Sequence, residues 1–319
     1  MIYKFKSWID INKIDWYWLS NNPNAISILE KNVDKIKWNF ICSNENGISI
    51  LEKNLNKINW RELSRNLQAN LILRKNLNKI DWDYLCLNDN VIDIIEQNLD
   101  KIDWCLLSRN ENAIHLLENN LDKIDWRFLS ANENAIHILE NNLNKIDWQN
   151  LSANENAIYI IEKNLDKIDW CLLSKNKKAI HILENNLDKI DWYHLSRNPN
   201  GIHILENNLD KIDWTQLSDN PNAINILENN VDKIDWYLLS RNPNAIHILE
   251  NNLDKIDWSY LSMNLNIFDY DYDQMKLNTG IFKDELITNV FYFDRIHVIC
   301  NIYNYNFKDY IHLILYNDV

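Results

Sequence analysis

The chain is 319 residues long and has only three glycines and four prolines. Usual abundances are about 7% and 5%, so the residues that commonly punctuate turns are nearly missing. Asparagine, with 55 residues, is the one residue abundant enough to turn the backbone in their place. No run approaches the roughly 18 apolar residues that a membrane-spanning helix needs. The first ten residues, MIYKFKSWID, lack the apolar core and small-residue cleavage site of a signal peptide. The five cysteines, Cys42, Cys86, Cys105, Cys171 and Cys300, never form a CxxC pair. Odd number and wide spacing fit reduced thiols better than a disulfide framework or zinc cluster. Basic residues are outnumbered 33 to 46, for a net charge of −13. That balance disfavours nucleic acid and anionic membranes as partners. The expected location is cytoplasmic rather than secreted.

What the chain does have is a repeat. Trp16, Trp38, Trp60, Trp82, Trp104, Trp126, Trp148, Trp170, Trp192, Trp214, Trp236 and Trp258 follow one another at intervals of 22 residues. Such self-similarity is the mark of a repeat array. Counting each Trp as position 1, a typical unit reads WYHLSRNPNGIHILENNLDKID (192–213). Apolar residues at 10/11, 14, 18 and 21 follow helical spacing, and Trp at 1 with Leu at 4 forms a second, shorter face. Asp at 22 and Asn at 7 are suitable N-caps, the latter followed by Pro23, Pro199, Pro221 and Pro243 in four units. Asn at 17 suits a left-handed helix end. The pattern predicts a short helix over positions 1–6, a longer one over 8–16, and turns at 7 and 17–22.

The fold expected is all-α: an α-solenoid of twelve two-helix units over residues 11–266, with the repeated Trp in its core. Residues 1–10 would form an N-terminal cap and 267–319 a C-terminal helical cap, including a helix over Phe282–Cys300. At about 8–10 Å per unit the array would be a rod or superhelix on the order of 100 Å long. A leucine-rich horseshoe is the structural alternative, but its Asn would fall at Leu195, and Asn198 comes three residues late.

The unit W-x-x-L-S-x-N-P-N-A-I-x-I-L-E-x-N-L-D-K-I-D resembles the tandem tryptophan repeats of uncharacterised proteins from giant, Mimivirus-like DNA viruses. The likeness covers about 250 residues, and the segment FDYDYDQMK…FKDELITNVFYFDRI (268–296) resembles the one that often closes those proteins. It departs at Phe291-Tyr292-Phe293, where a His-Pro pair is expected. The resemblance implies a viral setting, an infected host cell or a virion, and brings no activity with it.

Candidate chemistry is sparse. His115, His137, His181, His203 and His247 share position 12, but neighbouring units would hold them about 8–10 Å apart, too far for two to share a zinc at about 2.0–2.1 Å. Glu at 15 and Lys at 20 read as surface charge ladders. Ser at 5, replaced by Cys42 and Cys86, recurs too often to be a nucleophile. No catalytic, cofactor or metal residue is expected. Variation concentrates at positions 2, 3, 6 and 8. Positions 2 and 3 carry Tyr17, Trp18, Phe40, Tyr84, Phe128, Tyr193, His194, Tyr237 and Tyr260, an aromatic edge suited to a protein partner. The expected function is a non-enzymatic scaffold for protein–protein interaction. The alternatives are an assembly component of a virion or filament, with self-association, and, more distantly, a repeat-based nucleic-acid binder.

Overall fold

A computed structural model describes residues 2–279; the helix expected over Phe282–Cys300 and most of the C-terminal cap lie outside them. The chain divides into a repeat unit, Phe5–Phe268, and a second unit made of Met1–Lys4 and Asp269–Val319. In the second, Tyr3 stacks on Tyr270 at 5.3 Å, Asp271 N–H donates to Ile2 O at 3.0 Å, and helix runs through 272–279. The strands Tyr3–Phe5 and Phe268–Tyr270 pair as a two-stranded sheet.

The repeat unit is all-α, twelve 22-residue modules numbered here by their Trp. The first helix spans 1–6 or slightly less, as in Trp16–Asn21 and Trp148–Ala153. Position 22 caps it in every unit but the second, where Lys37 precedes the helix: Asp191 accepts from His194 N–H at 2.9 Å, for example. The second helix is shorter than the spacing predicts, positions 11–15 rather than 8–16, as in Ile136–Glu140. A 3-10 turn such as Pro23–Ala25 or Pro243–Ala245 can precede it. The Asn side chain at position 7 accepts from the amide at position 9 (Asn24 N–H to Asn22 Oδ1, 3.1 Å), starting a tight turn ahead of the α-helix.

Asparagine works through its side chain, not through left-handed backbone. At position 17, Asn32, Asn142 and Asn208 have φ of −134°, −137° and −142°. The expected left-handed helix end is absent there. The side-chain amide at position 17 donates instead to the carbonyl four residues back, as from Asn32 to Ile28 O at 2.8 Å, and does so in all eleven complete units. The Asn at position 7 is buried in every unit. Its Nδ2 reaches the preceding unit, as that of Asn44 does to Ser20 O (3.1 Å) and Asn22 O (3.0 Å).

This inter-unit ladder has no end. Asn22 in unit 1 donates to Ser262 O (3.2 Å) and Asn264 O (3.1 Å) of unit 12, the same atoms one step round. Asp15 N–H donates to Ser262 Oγ at 2.9 Å, as Lys37 N–H does to Ser20 Oγ. Asn24 Nδ2 donates to Leu265 O at 2.9 Å, as Asn46 Nδ2 does to Pro23 O at 3.0 Å. The array is therefore a closed ring, and the expected open rod is wrong. Unit 12 stops at position 11 before the chain leaves the period. Ile11-Asn12-Lys13-Ile14-Asp15 supply its positions 18–22, and residues 5–10, expected in a separate cap, fall in the same unit as the ring. Beside the seam, Phe5 stacks on Phe268 at 5.4 Å and Lys6 N–H donates to Ile267 O at 3.0 Å. A closed ring presents no bare solenoid end for a cap to cover. The expected length of about 100 Å becomes a circumference.

The core is aliphatic. Leu19, Leu63, Leu129 and their counterparts at position 4 are fully buried, as are Leu29, Leu73 and Leu139 at position 14; the position-13 residues and most at 21 join them. The repeated Trp are only half-buried, contrary to the expected tryptophan core. Each ring is roofed by the Lys at position 20, with Nζ 4.4–5.4 Å from the centroid in all twelve cases, Lys13 over Trp258 at the seam included. A partly exposed cation–π contact contributes about 0.5–1 kcal/mol. Position 18, expected in the apolar stripe, is instead exposed in eleven of twelve units, from 37% at Val33 to 49% at Leu143.

Candidate binding face of the ring

First helices of neighbouring units approach one another more closely than second helices do along most of the array, so the first-helix layer takes the smaller circumference. The side chains at positions 4 and 5 turn into the core, while positions 2, 3 and 6 turn away from it. Position 8 lies beside them across the turn. The four positions that vary thus share one concave face. A cleft of about 590 Å³ on it draws its walls from units 7 to 10: Ala153, Glu155, Lys175, Lys177, Tyr193, His194, Arg197, Asn198, Pro199 and Gln216. All but Asn198 occupy positions 2, 3, 6 or 8.

The nine aromatic-edge residues fall into three settings. Tyr237, Tyr260, Tyr17, Trp18 and Phe40 occupy units 11, 12, 1 and 2, which are consecutive only because the ring closes. Within this sector Tyr237 meets Tyr260 at 3.6 Å between centroids, Tyr17 meets Phe40 at 3.8 Å, and Trp18 packs edge-on to Tyr17 at 5.2 Å. Tyr17 and Tyr237 remain 44% and 48% exposed. Tyr84 and Phe128 stand apart and are covered by guanidinium groups, Arg61 at 4.4 Å and Arg109 at 4.8 Å. Tyr193 and His194 line the cleft beside Lys175, Lys177 and Arg197.

Units 8 and 9 carry those three cations at variable positions and no acid there, so this sector is basic on a chain of net charge −13. Two of the three have neighbours: Lys177 lies 3.8 Å from Glu155, and Arg197 lies 2.9 Å from Asp219, which also takes a two-pronged contact from Arg241 at 2.6 Å.

The cleft also meets a cluster that sequence reading passed over. Cys171 Sγ lies 3.2 Å from His194 Nδ1, and His194 Nδ1 lies 2.9 Å from Asp191 Oδ1. Cys, His and acid together suggest a nucleophile with its base. Here both partners take the same ring nitrogen, so no proton relay runs across the imidazole. Burial and the Asp191 carboxylate push the Cys171 thiol up, towards the neutral form. Burial works against Asp191 ionising, yet hydrogen bonds from the His194 backbone and ring hold its carboxyl below the usual range. The signal was hard to find because the three residues sit at positions 2 and 22 of one unit and 3 of the next.

The remaining candidates have structural partners. Each position-12 His meets the Glu at position 15 of the preceding unit: His115 with Glu96 at 2.5 Å, His181 with Glu162 at 2.9 Å, His247 with Glu228 at 2.6 Å, and His137 with Glu118 and His203 with Glu184 likewise. Between units 3 and 4 the signs reverse, with Arg74 at position 15 facing Asp93 at position 12 (2.5 Å). Position 15 therefore pairs with position 12, and the Lys at position 20 covers Trp, rather than the two forming one ladder. The Ser at position 5 donates to the Trp carbonyl of its own helix, as from Ser196 to Trp192 O at 2.7 Å. Cys42 and Cys86 replace that Ser in two units, and burial pushes both thiols up to about 11. Among the described residues no helix is long and apolar enough to cross a membrane. No family model, no curated protein and no solved structure matches the chain.

Proposed function

We propose that the ring is a non-enzymatic scaffold that binds a protein segment along its first-helix face, with infected-cell or virion proteins as the natural candidates. One observation carries this reading: the positions that vary from unit to unit share a single concave surface, while the near-constant positions build the ring. The aromatic sector offers large, partly exposed rings, the side chains that dominate binding hot spots. The basic sector two units away complements acid. The segment recognised is accordingly one with apolar anchors followed by acidic residues. A base-by-base nucleic-acid code needs amide or charged pairs at one fixed variable site, and positions 2 and 3 are mostly aromatic or neutral.

Peptide display against the full-length ring tests this. Enriched peptides should combine aromatic or aliphatic anchors with Asp or Glu, and a Tyr17→Ala, Phe40→Ala, Tyr237→Ala variant should bind them at least tenfold more weakly. Equal binding by that variant, with the fold intact by circular dichroism, would remove this surface from consideration. A second reading, assembly with further copies, draws on the exposed aliphatic row at position 18 (Leu55 47%, Leu143 49%). It predicts concentration-dependent sedimentation that Leu→Lys changes in this row abolish.

A further inference from the structure

We propose that Cys171, Asp191 and His194 form a binding site for a zinc-class divalent cation on the ring's variable face. The three ligand atoms lie within 4.8 Å of one another, with Sγ to Nδ1 at 3.2 Å and Nδ1 to Oδ1 at 2.9 Å. Tetrahedral zinc, with bonds of about 2.3 Å to sulfur and about 2.0–2.1 Å to nitrogen and oxygen, sets such pairs about 3.3–3.6 Å apart. An outward shift of about 0.4 Å brings these two pairs to coordinating distance, and the third pair, Sγ with the Asp191 carboxylate, lies within 4.8 Å. Thiolate, carboxylate and neutral imidazole supply two negative charges to a dication, and the mixed S, N, O set suits zinc better than magnesium or calcium. On binding, the Cys171 thiol gives its proton to solvent and the sulfur bonds the metal. The cation's own charge reverses the upward push on that thiol. The Asp191 N–H already donates to Ser174 Oγ at 3.0 Å, and one carboxylate oxygen accepts from the His194 amide at 2.9 Å, which fixes the carboxylate in place. Three protein ligands leave one of four positions free, and the site borders the cleft between Tyr193, Lys175 and Arg197.

The chain contains its own control. Cys105 also occupies position 2, and its Sγ lies 3.2 Å from Asp125 at position 22. The residue equivalent to His194 there is Phe128, and Asp125 is taken by Arg127 at 2.6 Å. The Cys–Asp pair is thus built twice, and His joins it once. This difference separates a ligand set from a repeated packing contact.

The test is titration of the purified full-length chain with Co²⁺ as a zinc probe, followed by Zn²⁺ competition. The expected result is one cobalt per chain with a thiolate-to-cobalt charge-transfer band that stoichiometric zinc removes. Cys171→Ser should abolish the band, and His194→Phe, which copies Phe128, should weaken binding at least 100-fold. Cys105→Ser should leave both unchanged. Absence of the band in the unmodified chain overturns the proposal. So does a band that survives Cys171→Ser or His194→Phe, or one lost with Cys105→Ser. Circular dichroism of each variant guards against unfolding, and Asp191→Asn, which keeps the helix cap, supplies a second ligand variant that folds. This site stands independently of the peptide-binding reading, since cobalt binding needs no protein partner.

Discussion

A chain beginning at Trp16 should lose most of the stability of the full-length protein. Residues 5–15 finish unit 12: Ile9 and Ile14 are 9% and 5% exposed, Lys13 covers Trp258 at 5.0 Å, and Asp15 caps the first helix by accepting from Tyr17 N–H at 2.8 Å. Burial of two Ile side chains contributes about 1.5–3 kcal/mol each, and a lost cap about 1 kcal/mol. The combined loss of about 4–7 kcal/mol is comparable to the whole net stability of many domains, about 5–15 kcal/mol. At about 2–4 °C per kcal/mol for a unit of this size, the midpoint of thermal unfolding should fall by roughly 10 °C or more. The truncated array should also associate end to end, because unit 12 then offers an unfilled edge. In an open array the same residues would be a terminal fringe, and removing them would move the midpoint by a degree or two. Differential scanning calorimetry with sedimentation velocity distinguishes the outcomes.

The second large effect is expected in the buried asparagine ladder. Asn154 is 1% exposed. It donates to Ser130 O at 3.1 Å and Asn132 O at 3.0 Å, and accepts from Asn156 N–H at 2.9 Å. Asn154→Ala leaves two carbonyls and one amide without this partner. An unmet buried polar group costs about 1–3 kcal/mol, so the variant should lose about 3–5 kcal/mol in denaturant unfolding. Asn141→Ala, at an exposed position, should lose under about 0.5 kcal/mol. Asn154→Asp adds a pH signature. Its ionised carboxylate would face two carbonyl oxygens in a buried site, which raises its folded pKa above the unfolded value. The folded state then holds the proton more tightly, so this variant's deficit should shrink as pH falls towards the carboxylate range and reach its full size near neutrality. Equal losses for Asn154→Ala and Asn141→Ala would mean the ladder is not what joins the units.

Much of this architecture could be read from residue spacing. The 22-residue period, the first helix over positions 1–6, the Asp at 22 that caps it and the Asn at 7 that starts the next turn all follow from local chemistry. The role of the Asn at position 17 did not, because a left-handed backbone and a side-chain bond to the carbonyl four residues back both select Asn. The half-burial of Trp did not either: whether an indole sits inside a core or beneath a lysine depends on the neighbouring turn. Closure was partly legible. Ile11-Asn12-Lys13-Ile14-Asp15 match the positions that unit 12 lacks, so the ragged ends complement one another. Whether they meet depends on curvature, about 30° per unit for twelve units, which accumulates from small inter-unit rotations. No single residue type encodes that angle. The aromatic sector depends on the same closure, since Tyr260 and Tyr17 are far apart in the chain and in adjacent units of the ring. The Asp191–His194 contact spans only three residues, but adding Cys171 to it required knowing that position 2 of one unit lies beside position 3 of the next.

Closure is the central claim, and a pair of distances tests it directly. Lys31, Lys75 and Asn251 are exposed and occupy position 16 of units 1, 3 and 11. Spin labels carried on unnatural amino acids leave the native cysteines untouched. In a closed ring both pairs, 31 with 75 and 31 with 251, are two units apart, and double electron–electron resonance should return the same distance for each, about 20–30 Å given second-helix spacing somewhat above about 10 Å. An open array would keep the first distance and place 31 and 251 on the order of 100 Å apart, which would contradict the ring.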